Sequence, residues 1–179
     1  DIGSKYYFNS AEKLLLQHYK KPAIFLDRDG VINQDHGYVY KIKNFDFRPG
    51  VLRGLKYLIK KNYYIFVITN QAGIAKKKFT ENDFFGLHKK IKENLEKLNI
   101  FFNDVQYSPF HPMAKIKKYK KNSGTRKPGN KMITNVQLSW DINKKKSFMI
   151  GDKKSDELAA KKSELKFYYA ERNFYKQIK

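Results

Sequence analysis

The sequence predicts an α/β fold in which helices cover both faces of a mostly parallel sheet. Short apolar segments alternate along the chain with longer segments whose apolar residues recur at helical spacing. Strands that alternate with helices in this way pair in parallel, because each crossover helix returns the chain to the same edge of the sheet. Of the 179 residues, 41% are hydrophobic and 16% are aromatic, which indicates a folded globular domain with a sizeable core.

The first half of the chain supplies two predicted strands and two predicted helices. Residues 23–26 are continuously apolar, as in a strand that is buried on both faces. Over 50–59, apolar residues recur at helical spacing, and 64–68 is a β-branched and aromatic strand. Thr80 is predicted as the N-cap of the next helix, because Asp83 follows three residues later and the helical spacing continues.

The second half continues the alternation and contains one extended loop, at about 108–129. Because no other insertion is long enough for a separate domain, we expect a Rossmann-like three-layer sandwich without a large cap domain. We assign this domain to 22–179 and an N-terminal helical extension to 1–21. The remaining predicted strands are 105–107, 147–150 and 167–170, and the remaining predicted helices are 130–138 and 155–163.

Polar residues follow three of the predicted strands, at the point where each strand ends. Asp27 and Asp29 come directly after the first strand, Thr69 and Asn70 after the second, and Asp152 after the fourth. In open α/β sheets, ligands bind at the edge formed by the carboxyl ends of the strands. The sequence therefore predicts that these five side chains gather at one edge of the sheet.

These residue types suit phosphoryl transfer. Asp27, Asp29 and Asp152 would form a three-carboxylate cluster, which suits Mg²⁺ together with water and a substrate phosphate. A carboxylate can act as the nucleophile, and a second one can protonate the leaving oxygen. Lys127 and Thr69 could hold the oxygens of the transferring group. Each signal alone has an ordinary explanation as a turn, a cap or a surface residue, but their joint placement at successive strand ends favours function.

The order of these residues resembles the haloacid dehalogenase superfamily of phosphotransferases. The resemblance extends from about residue 22 to about residue 170, and its closest match is to the heptose 1,7-bisphosphate phosphatases, followed by the histidinol-phosphate phosphatases. The segment Asp35-His36-Gly37-Tyr38-Val39 is similar to the substrate-facing segment of the heptose enzymes. The four motifs are Phe25–Asn33, Ile68–Gln71, Arg126–Pro128, and Ile150–Lys153 with Asp156.

The resemblance implies a role for individual residues. Asp27 would be the nucleophile and Asp29 the general acid/base, in an enzyme that removes the C7 phosphate during nucleotide-activated heptose biosynthesis. Magnesium would be held by Asp27, Asp152 and the backbone carbonyl of Asp29. Thr69, Arg126 and Lys127 would stabilise the phosphoryl group. The implied substrate-binding residues are Asp35, His36, Gly37, Tyr38, Asn70, Gln71, Ala72 and Lys153.

One departure from the family pattern concerns a structural zinc, which the resemblance places in the loop before the Arg-Lys-Pro motif. The family binds it through three cysteines and a histidine. The corresponding positions here are Ser108, Phe110, Ser123 and Thr125, with His111 beside a ligand position. Because zinc needs thiolate or imidazole ligands, we expect no zinc and a loop held by aromatic packing.

The charge balance is strongly basic, with 38 Lys and Arg against 17 Asp and Glu, a net charge of +21. Such a charge can attract nucleic acid or steer a phosphorylated substrate. A basic nucleic-acid-binding module is therefore one alternative, although binding alone would not need the carboxylate set. The absence of cysteine excludes disulfides. No signal peptide or apolar stretch of roughly 20 residues is present. A monomeric cytoplasmic protein without membrane contact is expected.

The start of the sequence gives one further hypothesis. Asp1-Ile2-Gly3 followed by a helical pattern over 11–19 is similar to the closing segment of sugar-nucleotidyltransferases. The phosphatase domain would then be one half of a fusion with a sugar-1-phosphate nucleotidyltransferase. A simple N-terminal helix or an expression scar is the alternative.

Overall fold

The computed structural model describes residues 20–179, and within them the chain forms a five-stranded sheet covered by helices on both faces. All four strand pairings are parallel, in the spatial order β3-β2-β1-β4-β5. The α/β class and the parallel sheet are therefore confirmed. The strands are β1 (Ala23–Leu26), β2 (Tyr64–Asn70), β3 (Asp104–Ser108), β4 (Phe148–Gly151) and β5 (Lys166–Tyr169).

The helices occupy the predicted positions within one or two residues. Thr80 caps the longest one, and the reciprocal bonds between Thr80 and Asp83 form the expected capping box. Two helices were not predicted, because four and five residues are too few to show a helical period. The helices are α1 (Val51–Lys60), α2 (Ala72–Ala75), α3 (Glu81–Glu96), α4 (Lys131–Ser139), α5 (Lys154–Lys162) and α6 (Phe174–Ile178).

The central strand β1 explains why its sequence is apolar without alternation. All four of its residues are 0% exposed, because they face two separate cores. Ile24 and Leu26 belong to the core that includes the inner faces of α1 and α3. Ala23 and Phe25 belong to the core that includes α4 and α5. Helices on both faces thus bury this parallel strand completely.

The strand order places a topological switch point beside β1. From β1 the chain crosses to β2 on one side, and after β3 it returns to β4 on the other side. A crevice opens where the connections diverge, at the carboxyl ends of β1, β2 and β4. Within residues 20–179, no helix has the length and apolar character needed to cross a membrane. The predicted helix over 11–19 lies outside the described residues.

Candidate active site

A pocket of about 560 Å³ lies at the carboxyl ends of the strands, where the sequence places the polar residues. Asp27 and Asp29 line it beside the end of β1, and Asn70 lines it at the end of β2. Three predicted residues, Asp152, Thr69 and His36, are not among those that line it. Thr69 is buried beneath the pocket, and His36 instead pairs with Asp46 at 2.9 Å on the surface. Predicted residues that also line the pocket are Asp35, Gly37, Tyr38, Gln71, Ala72, Arg126, Lys127 and Lys153.

A buried chain of three charges lies at the base of the pocket. The Nζ atom of Lys127 lies 2.9 Å from Oδ1 of Asp27 and 2.7 Å from Oδ1 of Asp156. Lys127 is 2% exposed and Asp156 is 0% exposed, so water does little to screen these pairs. Lys127 also donates to the carbonyl of Ile68 at 2.8 Å. Contacts with Asp27, Asp156 and the Ile68 carbonyl therefore hold the ammonium group in place beside Asp27.

The protonation of Asp27 is controlled by opposing effects. Burial raises its pKa from 3.8 to about 6, while the Lys127 charge lowers it. Repulsion from Asp156 and Asp29 also contributes to this raised pKa. Although burial opposes it, the two carboxylates raise the pKa of Lys127, which therefore stays charged. Asp27 is thus a buried carboxylate that loses its proton near neutral pH, as a nucleophile requires.

The carboxylates that cluster are Asp27, Asp152 and Asp156, with one oxygen of each within 4.8 Å of the others. The predicted third carboxylate was Asp29, so the side-chain cluster differs from the expectation. Oδ1 of Asp152 is buried and has no hydrogen-bond partner among residues 20–179. Burial also raises the pKa of Asp152. A buried, unpartnered carboxylate oxygen next to Asp27 fits a hard cation such as Mg²⁺.

Asp29 lies in a different environment, because its side chain faces Arg28. The guanidinium of Arg28 is 2.9 Å from Oδ2 and 3.0 Å from Oδ1 of Asp29. Asn33 donates to Oδ1 and Gln71 to Oδ2, each at 3.0 Å. The chain turns immediately after Asp27, so the Asp29 side chain does not join the cluster of Asp27 and Asp152. Asp29 lines the pocket while its side chain is paired with Arg28.

Arg28 was not singled out from the sequence, although it is only 1% exposed. Its Nη2 atom donates to the carbonyl of Val39 at 2.7 Å, and its Nη1 atom lies 3.4 Å from Nε2 of His88. Burial and the Arg28 charge lower the pKa of His88 to about 3, so His88 is neutral. Arg28 joins Asp29 to the segment that contains the predicted substrate residues.

Comparison with known proteins shows the family. Residues 23–179 match the family model described as polynucleotide kinase 3 phosphatase. The D-glycero-beta-D-manno-heptose-1,7-bisphosphate 7-phosphatase of Photorhabdus laumondii is 42% identical over 139 residues, covering 78% of this chain and 74% of that protein. The chain belongs to the haloacid dehalogenase phosphatases.

Two further comparisons agree with this assignment. The Escherichia coli K12 protein with the same name as the Photorhabdus relative is 40% identical over 139 residues, covering 78% of this chain and 73% of that protein. A crystal structure of D,D-heptose 1,7-bisphosphate phosphatase from B. bronchiseptica, complexed with magnesium and phosphate, has a TM-score of 0.75. It covers 88% of this chain and 84% of that chain at 23% identity, which supports the fold. The predicted family and its enzyme class, a phosphoric monoester hydrolase, are confirmed.

The segment 35–39 of this phosphatase, which is predicted to face the substrate, has an unusual backbone. Gly37 and Tyr38 both have positive φ angles, 73° and 53°, and a non-glycine residue rarely adopts this conformation. The turn directs Tyr38 toward Gly73, at which a Cβ atom would lie 2.8 Å from the tyrosine ring. Nζ of Lys76 lies 3.3 Å from the Tyr38 hydroxyl. Strain of this kind is found at sites where a side chain must be held in one place.

Three other sets of contacts join predicted residues of the phosphatase. The Asn70 amide donates to the carbonyl of Lys127 and accepts from its N–H, at 3.1 and 3.0 Å. Nζ of Lys153 lies 3.3 Å from Asp35 and 3.5 Å from Asp152. Thr69 accepts a hydrogen bond from Gln71 at 2.8 Å. These contacts connect several of the predicted residues, and the roles of all of them in binding and catalysis remain predictions.

Gly30 provides a direct test of the cation site in this phosphatase. Its φ is +83°, and a Cβ atom there would lie 2.5 Å from Oδ2 of Asp152. Gly30→Ala should weaken Mg²⁺ binding by about 10- to 100-fold, the usual range for disturbing the support of a metal ligand. Isothermal titration with Mg²⁺ measures this. Gly86→Ala is the control, since nothing lies within 4 Å of its Cβ position. Equal affinities in the two variants would contradict the prediction.

Proposed function

We propose that this phosphatase removes the C7 phosphate of D-glycero-D-manno-heptose 1,7-bisphosphate through an aspartyl-phosphate on Asp27. The observation that carries the proposal is the buried Asp27 carboxylate, held 2.9 Å from Lys127 in the pocket at the strand ends. The names of the relatives that are 40–42% identical over most of their length support the choice of substrate.

The proposed reaction has two steps. An oxygen of Asp27 attacks phosphorus, the bond from phosphorus to the C7 oxygen breaks, and Asp29 donates its proton to that oxygen. Asp29 then removes a proton from water, which attacks the aspartyl-phosphate and releases inorganic phosphate and free Asp27. Before it donates a proton, Asp29 must turn from Arg28 toward the leaving oxygen. Lys127 stabilises the charge on the phosphoryl oxygens in this scheme, and Thr69 holds Gln71 in the pocket wall by accepting its hydrogen bond.

Asp27, Asp152 and the backbone carbonyl of Asp29 would hold Mg²⁺, as the family resemblance implies. The cation supplies positive charge that reduces the repulsion between Asp27 and the substrate phosphate. The unpartnered Asp152 oxygen supports this assignment. Magnesium in the B. bronchiseptica structure gives further support.

Two cationic side chains near the pocket support a substrate that carries a second anionic group. Arg126 is half-buried, and within the described residues its only side-chain hydrogen bond is to the carbonyl of Phe110, at 3.3 Å. Nζ of Lys76 contacts the Tyr38 hydroxyl. Neither Arg126 nor Lys76 makes an ion pair with a described carboxylate. The charges of Arg126 and Lys76 both contribute to lowering the pKa of His111, after burial. The positive charges of Arg126 and Lys76 would attract the far phosphate of a bisphosphate. They would repel the cationic amine of histidinol phosphate, the alternative substrate.

The experiment that tests this function is phosphate release by the purified chain with Mg²⁺. The substrates are both anomers of heptose 1,7-bisphosphate, histidinol phosphate and a 3′-phosphorylated oligonucleotide. Turnover of a heptose anomer at least tenfold above the others is expected. Faster turnover of histidinol phosphate would show that histidinol phosphate, and not the heptose bisphosphate, is the substrate. Tight, salt-sensitive oligonucleotide binding without turnover of any small phosphate would favour the nucleic-acid module.

Magnesium binding should depend on pH because Asp27 cannot bind a cation while it is protonated. Its pKa without metal is about 6, so the protonated fraction grows as the pH falls below 6. Mg²⁺ affinity should decrease by about tenfold for each pH unit well below that value, and should level off above it. Isothermal titration at several values between pH 5 and 8 measures this. An affinity that stays constant over this range would contradict the assignment of Asp27 as a ligand.

The remaining proposals concern context. We propose that 22–179 act as a monomeric cytoplasmic domain in the synthesis of lipopolysaccharide or capsule precursors. We also propose that 1–21 are the tail of a sugar-1-phosphate nucleotidyltransferase, on the similarity of Asp1-Ile2-Gly3. An endogenous protein no larger than this 21.2 kDa chain would refute the fusion.

A further inference from the structure

The loop between β3 and α4 delivers Arg126 and Lys127 to the pocket, and its four family zinc positions are Ser108, Phe110, Ser123 and Thr125. Hydroxyl and phenyl groups are not ligands for structural zinc. The neighbouring His111 is also engaged, since its Nδ1 accepts from the N–H of Met113 at 3.1 Å. The residues present therefore do not fit zinc, and another interaction has to order the loop.

Three of the four positions form a hydrogen-bonded cluster. The hydroxyl of Thr125 lies 3.1 Å from that of Ser108 and 2.8 Å from that of Ser123. The Ser123 hydroxyl also accepts from the N–H of Thr125, at 3.3 Å. The backbone carbonyl of Ser123 accepts from the N–H of Arg126, at 3.0 Å. Ser108 is the last residue of β3, so the cluster fastens the returning end of the loop to the sheet.

A carboxylate fastens the middle of the loop. Oε1 of Glu81, the first residue of α3, accepts from the Tyr107 hydroxyl at 2.8 Å, and Oε2 accepts from the Tyr119 hydroxyl at 2.5 Å. The hydrogen bond from Tyr119 is the main reason that the pKa of Glu81 is lowered. Nζ of Lys118 lies 3.6 Å away. Glu81 thus joins a helix, a strand and the loop.

A short series of contacts leads from this carboxylate to the pocket. The carbonyl of Tyr119 accepts from the N–H of His111 at 3.1 Å, and the Tyr119 ring packs edge-on against Phe110. The carbonyl of Phe110 in turn accepts from the guanidinium of Arg126 at 3.3 Å. Tyr119 is 6% exposed, so its position is well defined by packing. Displacement of Tyr119 would therefore move the group that orients Arg126.

We propose that Glu81 is a positioning residue that replaces the structural metal of the loop and orients Arg126 for the far phosphate of the substrate. The Ser108, Ser123 and Thr125 cluster occupies family zinc positions and fastens the base of the loop. The Glu81 carboxylate orders the middle of the loop, and together with this cluster takes over the metal's role of keeping the loop closed. The part that concerns Arg126 depends on the proposed function. The part that concerns loop order does not.

The first test compares Glu81→Ala with a matched control, Glu157→Ala. Glu157 also lies in the first turn of a helix, bonds to a lysine and a tyrosine, and has a side-chain exposure of 33% against 31% for Glu81. Glu81→Ala should raise KM for heptose 1,7-bisphosphate by about tenfold or more, as expected for lost bonds to a charged group, with little change in kcat. KM and kcat for p-nitrophenyl phosphate, which lacks a far phosphate, should stay the same in both variants.

The second test measures loop order without any substrate. The loop contains Lys115, Lys117, Lys118, Lys120 and Lys121, so trypsin reports directly on its opening. Cleavage within 115–121 should be at least about tenfold faster in Glu81→Ala than in wild type or Glu157→Ala, because it follows the population of the open loop. Similar cleavage in all three proteins would overturn the proposal. This result is informative even if wild type fails to hydrolyse heptose 1,7-bisphosphate, which would overturn only the proposed function and the role of Arg126.

The third test rebuilds the metal site in the Glu81→Ala background. The substitutions Ser108→Cys, Phe110→His, Ser123→Cys and Thr125→Cys should bind one zinc per chain by elemental analysis. They should also restore slow trypsin cleavage and the wild-type KM. Bound zinc without slower cleavage would overturn the claim that Glu81 takes the place of the metal. Stoichiometric zinc in the wild-type chain, or loss of its activity to a zinc chelator with Mg²⁺ present, would overturn it as well.

Discussion

Asp27→Asn should abolish phosphate release from heptose 1,7-bisphosphate, lowering the rate by on the order of 10⁴-fold or more, as found when a nucleophile is removed. An amide cannot attack phosphorus, and the substituted side chain would carry no charge for the cation. The fold should survive, because Asp156 still pairs with Lys127 at 2.7 Å. Phosphate release at saturating Mg²⁺ and pH 7.5 is the measurement.

The control for this prediction is Asp141→Asn, which changes an exposed carboxylate at the opposite end of the sheet. It should retain the wild-type rate. Circular dichroism and thermal unfolding establish that both variants are folded. A folded Asp27→Asn protein with more than about a hundredth of the wild-type rate would show that Asp27 is not the nucleophile, since general acid–base or electrostatic roles alone cost about 10²- to 10⁴-fold.

Lys127→Met should lower the free energy of unfolding by about 3–5 kcal/mol, the usual cost of removing one partner of a buried ion pair. Lys127 is the only cation that contacts both Asp27 and Asp156 among the described residues. Without it, the two buried carboxylates lose their cationic partner and keep only backbone N–H donors within 20–179. The activity should also be lost, because the ammonium no longer stabilises the phosphoryl oxygens. Urea unfolding at pH 7.5 measures the change in stability.

The loss of stability in Lys127→Met should become smaller as the pH falls. Burial already raises the pKa of Asp27, and removal of Lys127 takes away the charge that opposes this. A group with a raised folded pKa contributes stability at low pH that is lost as the pH rises through that value. The variant should therefore recover part of its deficit at pH 5. Lys154→Met is the control, since this exposed lysine pairs with Glu157 at the surface and its removal should cost far less stability than Lys127→Met. An equal deficit at pH 5 and pH 8 would contradict this explanation.

The sheet was predictable because its signals are local. The unbroken apolar segment of β1 reflects burial on two faces. The N-cap of α3 depends on only two residues, Thr80 and Asp83. The placement of Asp27, Asn70 and Lys127 around one pocket followed from the rule that ligands bind at strand ends.

The contacts that could not be predicted depend on side-chain direction and on distant segments. Asp29 turns to Arg28 because the chain leaves the strand after Asp27, and no periodicity records this bend. Asp156 belongs to a recognised motif, yet its bond to Lys127 spans two separate loops. Glu81 resembles any acidic residue in the first turn of a helix, and only the fold brings Tyr107 and Tyr119 to it. His36 was assigned from its neighbours in sequence, although its side chain points to Asp46.

The central position of β1 has a consequence for synthesis on the ribosome. β1 pairs with β2 early, but its other neighbour, β4, is encoded 124 residues after it, as the pairing of Ile24 with Phe148 shows. Until Phe148–Gly151 leave the exit tunnel, one side of the apolar β1 segment remains an open strand edge. Nascent chains that stall before this point should therefore be the ones that chaperones bind and that aggregate, because long-range parallel pairing completes last.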